Sequence, residues 1–136
     1  MTLTPEAAAP TRDVVSLRLP ADSAYLSVLR TAAAGLASRL DFTLDDIEDL
    51  RIAVDEACAM LLPRANGTAV LECTFELKPA VLEISVSVPT TDGALPSRDT
   101  FAWTVLTALA GEVDATANGG TVTITMSKRS STGTAG

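Results

Sequence analysis

The chain has 136 residues, a length that suits one domain, and 47% of them are hydrophobic, enough for one core without disulfide or metal staples. Ten Lys and Arg against 17 Asp and Glu leave a formal charge of −7, the wrong sign for gripping phosphate backbones or anionic lipid, so neither nucleic acid nor a membrane is an expected partner. Histidine is absent, which excludes a His-based triad, a His-ligated zinc and a phosphohistidine relay within this chain.

Residues 1–11 and 130–136 carry no apolar period to bury and are expected to be disordered tails on a single domain spanning 12–129. Residues 13–19 alternate, with Val15, Leu17 and Leu19 on one face before Pro20, and predict a first strand. From 22 to 40, Tyr25, Leu26, Leu29, Ala32, Ala33, Leu36 and Leu40 recur at helical spacing and predict a first helix. A second helix begins at Thr43, with Asp46 three residues on as its capping-box partner and Asp45 near the positive end of the dipole. Its core stripe reads Ile47, Leu50, Val54, Ala57, Cys58 and Leu61, and Pro63 sets its end.

The period then changes from 3.6 to 2. Leu71, Cys73, Phe75 and Leu77 alternate with polar residues, as do Leu82, Ile84, Val86 and Val88 beyond a Lys78-Pro79 turn, which predicts an antiparallel hairpin. A polar stretch with an Asp92-Gly93 turn leads into a third helix over 100–111, carrying Phe101, Val105, Ala108 and Leu109. Two strands, 113–117 and 121–128, close the domain around Asn118-Gly119-Gly120. Each strand has one apolar face and one Ser, Thr or Glu face, so the helices belong on one side. The order of elements predicts an α+β fold, a two-layer sandwich of a mostly antiparallel sheet with helices packed on one face.

Three side-chain sets stand out. On the second helix Asp49, Ala53, Glu56 and Met60 follow at spacings of four, three and four, which puts them on one side, opposite the core stripe, with Glu56 open to ligand or water. On the first helix the outward positions Ala24, Ser27, Val28, Thr31, Ala34, Gly35 and Ser38 are small and uncharged where a solvated helix carries Lys and Glu, so a covering partner is expected. Cys58 and Cys73 both point toward the core and read as inert small hydrophobes. Their number and spacing suit a reduced cytoplasmic protein, and no apolar run reaches membrane-spanning length.

Asp49-Leu50-Arg51-Ile52-Ala53-Val54-Asp55-Glu56-Ala57-Cys58 resembles the N-box helix of the GHKL ATPases, and especially of the RsbW and SpoIIAB-like anti-sigma factors, whose pattern is LRxAVxEAxxN. Asn118-Gly119-Gly120-Thr121 looks like the family's closing glycine-threonine strand, and residues 101–109 look most like the third helix of the UsfX branch. The resemblance covers roughly residues 13–129 and implies a Bergerat-type fold. It implies that Glu56 is the general base that would activate a serine hydroxyl of a protein partner, and that Thr121 helps hold adenine. The family's magnesium-binding Asn falls on Met60, a thioether ill suited to a hard cation. The adenine-reading Asp has no counterpart at the end of the strand 82–88, since Asp92 lies several residues late, and the glycine-rich lid is replaced by Asp99-Thr100-Phe101-Ala102-Trp103.

The expectation is therefore an anti-sigma factor with a degenerate nucleotide pocket, no cofactor and no metal, acting as a homodimer. It would hold a stress- or development-type sigma factor until an anti-anti-sigma antagonist competes for an overlapping surface. The resemblance places partner contacts on the first helix, with the family's partner-reading arginine falling on Arg30 beside Ser27, Val28, Thr31 and Ala34. The alternative is an active serine kinase of the RsbW type that uses ATP and magnesium to phosphorylate the antagonist. A third reading is a binding domain unrelated to sigma control that shares only the fold.

Overall fold

A computed structural model describes residues 13–131. Among them the elements run β1 (Asp13–Pro20), α1 (Leu26–Arg39), α2 (Leu44–Leu61), β2 (Val70–Lys78), β3 (Val81–Pro89), α3 (Phe101–Ala110), β4 (Glu112–Asn118) and β5 (Thr121–Arg129), with 3-10 turns at Ser23–Tyr25 and Leu62–Arg64. The strands form one sheet in the order β1-β2-β3-β5-β4, with every neighbouring pair antiparallel. The α+β sandwich read from the sequence is the observed fold. The expected tails 1–11 and 132–136 lie outside the described residues, as does Arg12.

Register sorts the two faces of the sheet. Leu17, Cys73, Val86, Ile124 and Ala115 stand in one row across it, and Arg18, Glu72, Ser87, Thr123 and Thr116 in the next. The first row faces the helices and the second faces outward, so a slip of one residue would exchange core for surface. On the outer face, hydroxyl pairs bridge β3 and β5, Ser85 Oγ to Thr125 Oγ1 at 3.1 Å and Ser87 Oγ to Thr123 Oγ1 at 2.7 Å. The helices lie on the other face, with α2 in the middle of the layer, packed on α1 along one flank and on α3 along the other. Leu29, Leu50, Leu61, Phe75, Ile84 and Met126 are fully buried between the layers. Each contributes roughly 1.5–3 kcal/mol by leaving water. β1, at the edge, is covered least: Val14 and Val15 remain 44% and 37% exposed.

The capping box at the start of α2 forms as predicted: Thr43 Oγ1 accepts the Asp46 N–H at 3.1 Å, and Asp46 Oδ2 accepts the Thr43 N–H at 3.3 Å. At the β4–β5 turn, Gly119 and Gly120 hold φ of 61° and 84°, a left-handed pair that side chains disfavour.

Three expectations need correction. Ala53, placed opposite the core stripe, is fully buried, and Met60 packs against the core, because α3 covers the flank that a two-element packing would leave open. The buried residues of α3 are Trp103, Leu106 and Ala110, while Phe101 is 82% exposed and Ala108 is exposed. That helix is apolar at every position except Thr104 and Thr107, so its period cannot mark a buried side. Ser130 and Ser131, assigned to the C-terminal tail, are fastened: Ser130 is buried and its N–H donates to the Ala80 carbonyl at 2.8 Å, and Ser131 bonds Asp46.

Candidate functional site

The Asp49–Met60 side of α2 faces the α3 flank. Lys128 of β5 reaches into that junction: its Nζ donates to the Leu109 carbonyl near the end of α3 at 3.0 Å and lies 3.7 Å from Asp49 Oδ2. One ammonium thus satisfies an orphan helix carbonyl and joins three elements. Glu56, two turns along from Asp49, is half-buried, and Met60 follows it with its side chain against the core. Thr121 is not beside them. It alternates with core-facing Val122, so it faces the open side of the sheet, where it lines a cleft of about 440 Å3 with Arg18, Glu72, Ser87 and Pro89. The two residues that the resemblance pairs around a nucleotide therefore lie in different layers.

The segment between β3 and α3 is held along its length. Thr90 is buried, its N–H and hydroxyl both donate to the Gly120 carbonyl, and its Oγ1 accepts the Gly93 N–H at 2.8 Å. Gly93 has φ of 63°, a left-handed conformation that glycine adopts without strain. Arg64, just past α2, donates to the Ala94 carbonyl and lies 3.4 Å from Asp92 Oδ1, which also accepts the Ala94 N–H at 3.0 Å. Further along, Arg98 donates to Asp114 Oδ1 of β4 at 2.7 Å and lies 4.8 Å from the centroid of the Trp103 ring. These bonds lower the Asp92 carboxyl below its ordinary value, first through the Ala94 N–H and then through Arg64. Asp114 is lowered chiefly by Arg98. Arg64 and Arg98 carry no periodic signal in the sequence, and their partners lie 28 and 16 residues away.

Arg30 and Arg51 shape a different place. A cleft of about 430 Å3 between α1 and α2 is lined by Arg30, Thr31, Ala34, Gly35, Ser38 and Arg51. Of the residues assigned to partner contact, Ser27, Val28 and Thr31 are exposed, and Ala34 and Arg30 are half-buried. Arg30 Nη1 donates to Asp55 Oδ1 at 2.8 Å, with both side chains partly open to solvent, so the guanidinium already has a carboxylate from its own chain. Arg51 lies 3.4 Å from Glu48 one turn earlier on α2. Arg51 is a cleft residue that the sequence reading passed over; helical counting, which puts it on the outward side of α2, is the signal that could have found it.

The donor set near Glu56 does not suit a magnesium nucleotide. Magnesium demands oxygen ligands in near-octahedral array, and Met60 supplies sulfur where the resembling pattern has Asn. Asp92 is committed to Arg64 and Ala94, and segment 90–100 is bonded down and has glycine only at Gly93. The two cysteines offer no alternative chemistry. Burial pushes Cys58 and Cys73 up to about 12, which keeps both thiols protonated and unreactive, and the Asp55 carboxylate adds to the rise at Cys58.

No family profile matches the chain. Among curated proteins it is 39% identical over 75 residues to the serine-protein kinase RsbW of Bacillus cereus strain ATCC 10987, which covers 54% of this chain and 47% of that protein. To the RsbW of Bacillus velezensis strain FZB42 it is 43% identical over 53 residues, 39% of this chain and 33% of the relative. The chain thus spans less than half the length of these relatives. Among solved structures it superposes on the RsbU and RsbW domains of Rv1364c from Mycobacterium tuberculosis with a TM-score of 0.67 and 18% identity, over 90% of this chain and 33% of that one. No helix among the described residues is long and apolar enough to cross a membrane. The chain is therefore similar in sequence to the RsbW serine-protein kinases over about half its length, and it shares its fold with the solved RsbU and RsbW domains over nine-tenths of it.

Proposed function

We propose that this chain is a cytoplasmic anti-sigma factor that captures a sigma factor through the outward side of α1, as a homodimer, and releases it when an anti-anti-sigma antagonist competes for an overlapping surface. No phosphoryl transfer is involved. The observation that carries the reading is the α1–α2 cleft and the glycine in it. Beyond its own stretch of helix, a Cβ at Gly35 would meet no described atom within 4 Å. Glycine in mid-helix costs roughly 0.5–1 kcal/mol relative to Ala, and nothing within the fold needs it. A second polypeptide lying close on the helix backbone does.

Around Gly35 the residues are small and uncharged, and two guanidinium groups rim the cleft. A carboxylate on the partner that displaces Asp55 from Arg30 exchanges one charge-assisted bond for another, so release depends only on which partner binds better. The bonded-down segment 90–100 and the thioether of Met60 support a binding role without ATP or magnesium. The kinase reading has in its favour the presence of Glu56 and the names that the relatives carry.

One experiment separates them. Capture of the sigma factor by the full chain should fall about a hundredfold in Ala34→Arg with the melting temperature unchanged. The antagonist should stay unphosphorylated after incubation with ATP, magnesium and the wild-type chain. Phosphate transfer that Glu56→Gln abolishes would establish the kinase reading. Undiminished capture by Ala34→Arg would reject the α1 surface.

A further inference from the structure

The third residue of α2 serves two masters. Asp46 is 5% exposed, and its Oδ2 accepts three hydrogen bonds: from the Thr43 N–H at 3.3 Å, the Ser131 N–H at 2.9 Å and the Ser131 hydroxyl at 2.8 Å. The first belongs to the capping box that starts the helix. The other two come from a residue 85 positions away, two past the end of β5. The bonds to Ser131 are the shorter ones, and the capping bond is the long one.

A capping box needs only its own four residues. An aspartate shared with a distant segment makes the first turn of α2 and the end of the domain one hydrogen-bonded unit. Ser130 extends that unit into the sheet, since it is buried and bonded to the Ala80 carbonyl in the β2–β3 turn. We propose that Asp46 is a clasp that couples the position of the chain after β5 to the integrity of the N-terminal turn of α2, so that a modification of Ser131 loosens that first turn. The coupling stands independently of whether Glu56 acts as a base or the chain binds a sigma factor.

Amide hydrogen exchange on the full chain tests it. Ser131→Pro removes both donors at once, because proline has neither N–H nor hydroxyl. The amides of Asp46 and Ile47, and of Thr43, should then exchange about tenfold faster, with those of residues 57–61 unchanged. Ser131→Ala, which keeps the backbone donor, should give about a threefold change at the same amides. Linkage demands the reverse effect as well: Thr43→Ala should speed exchange at the Ser131 N–H. Exchange at residues 43–47 that stays at the wild-type rate in Ser131→Pro while residues 130–131 open would overturn the clasp. So would a uniform acceleration that includes residues 57–61, because that is global destabilisation without local coupling.

Discussion

The segment 90–100 and the outward side of α1 have opposite economies of polar groups. Along the first, Asp92, Arg98 and Thr90 each bond within the chain, to Arg64, to Asp114 and Trp103, and to Gly120. Along the second, Ser27, Val28, Thr31, Ala34 and Gly35 carry no charge, and the ion pairs at its edge, Arg30 with Asp55 and Arg51 with Glu48, are partly solvated. A surface whose charges are matched internally is committed to one shape and gains little from a partner. A surface with no charges to match costs little to desolvate, and a partner approaching it leaves nothing buried and unpaired. In this molecule segment 90–100 is held by its own side chains, whereas the outward side of α1 carries few groups that hold it to the rest of the chain.

Three substitutions or conditions break or sharpen that contrast. Trp103→Ala has the largest effect: it removes a buried side chain of α3 and the ring on which Arg98 rests, and should cost about 3–5 kcal/mol in urea unfolding. It should also make the segment 90–100 the first site of proteolytic cleavage. Gly35→Ala works in the other direction. Because its new methyl group meets nothing within 4 Å beyond its own stretch of helix, the free chain should gain about 1 kcal/mol, while capture of the partner weakens; a loss of stability instead would mean that the fold itself needs the glycine.

The smallest effect follows from pH. For Asp46, burial raises the carboxyl pKa, but hydrogen bonds from Ser131 and Thr43 together outweigh it and leave the value below 3.8. Asp92 and Asp114 are lowered too. Depressed carboxyls stabilise the fold above their ordinary range, and that stability should drain away as pH falls below 3.8 through their folded values. The cysteines have the opposite sign: raised from 9.0 to about 12, they favour the fold while protonated, and stability should fall as pH rises above 9.0. Urea midpoints measured across pH check both limbs. Resistance of the native thiols to alkylation at neutral pH checks the second independently.

Local signals in the sequence located most of this fold. Thr43 and Asp46 mark the start of α2, the period-2 runs mark β2 and β3, and the Gly119-Gly120 pair marks the last turn, because each depends on neighbours in the chain. The failures are tertiary. Ala53 looks outward when α2 is packed against one neighbour and is buried because it has two. Trp103 was passed over because α3 is apolar nearly all round. The docking of Ser131 on Asp46 links residues 85 apart and leaves no local trace. At the candidate site, the outward small residues of α1 were readable, since they depend on helical position alone, whereas Met60 was misplaced for the same reason as Ala53. The partners of Arg30, Arg64 and Arg98 were not, since an ion pair between elements is settled only once the elements have docked.

The unequal spans of the sheet's pairings also set an order of assembly. β2 joins β3, and β4 joins β5, across turns of two residues, and such hairpins close in microseconds. β1 meets β2 only after residues 21–69 have been gathered between them, so its entry carries the larger loop-closure cost and waits for α1 and α2 to form. β1 is thus expected to join last and to leave first, so native-state hydrogen exchange should open its amides ahead of those of the other four strands.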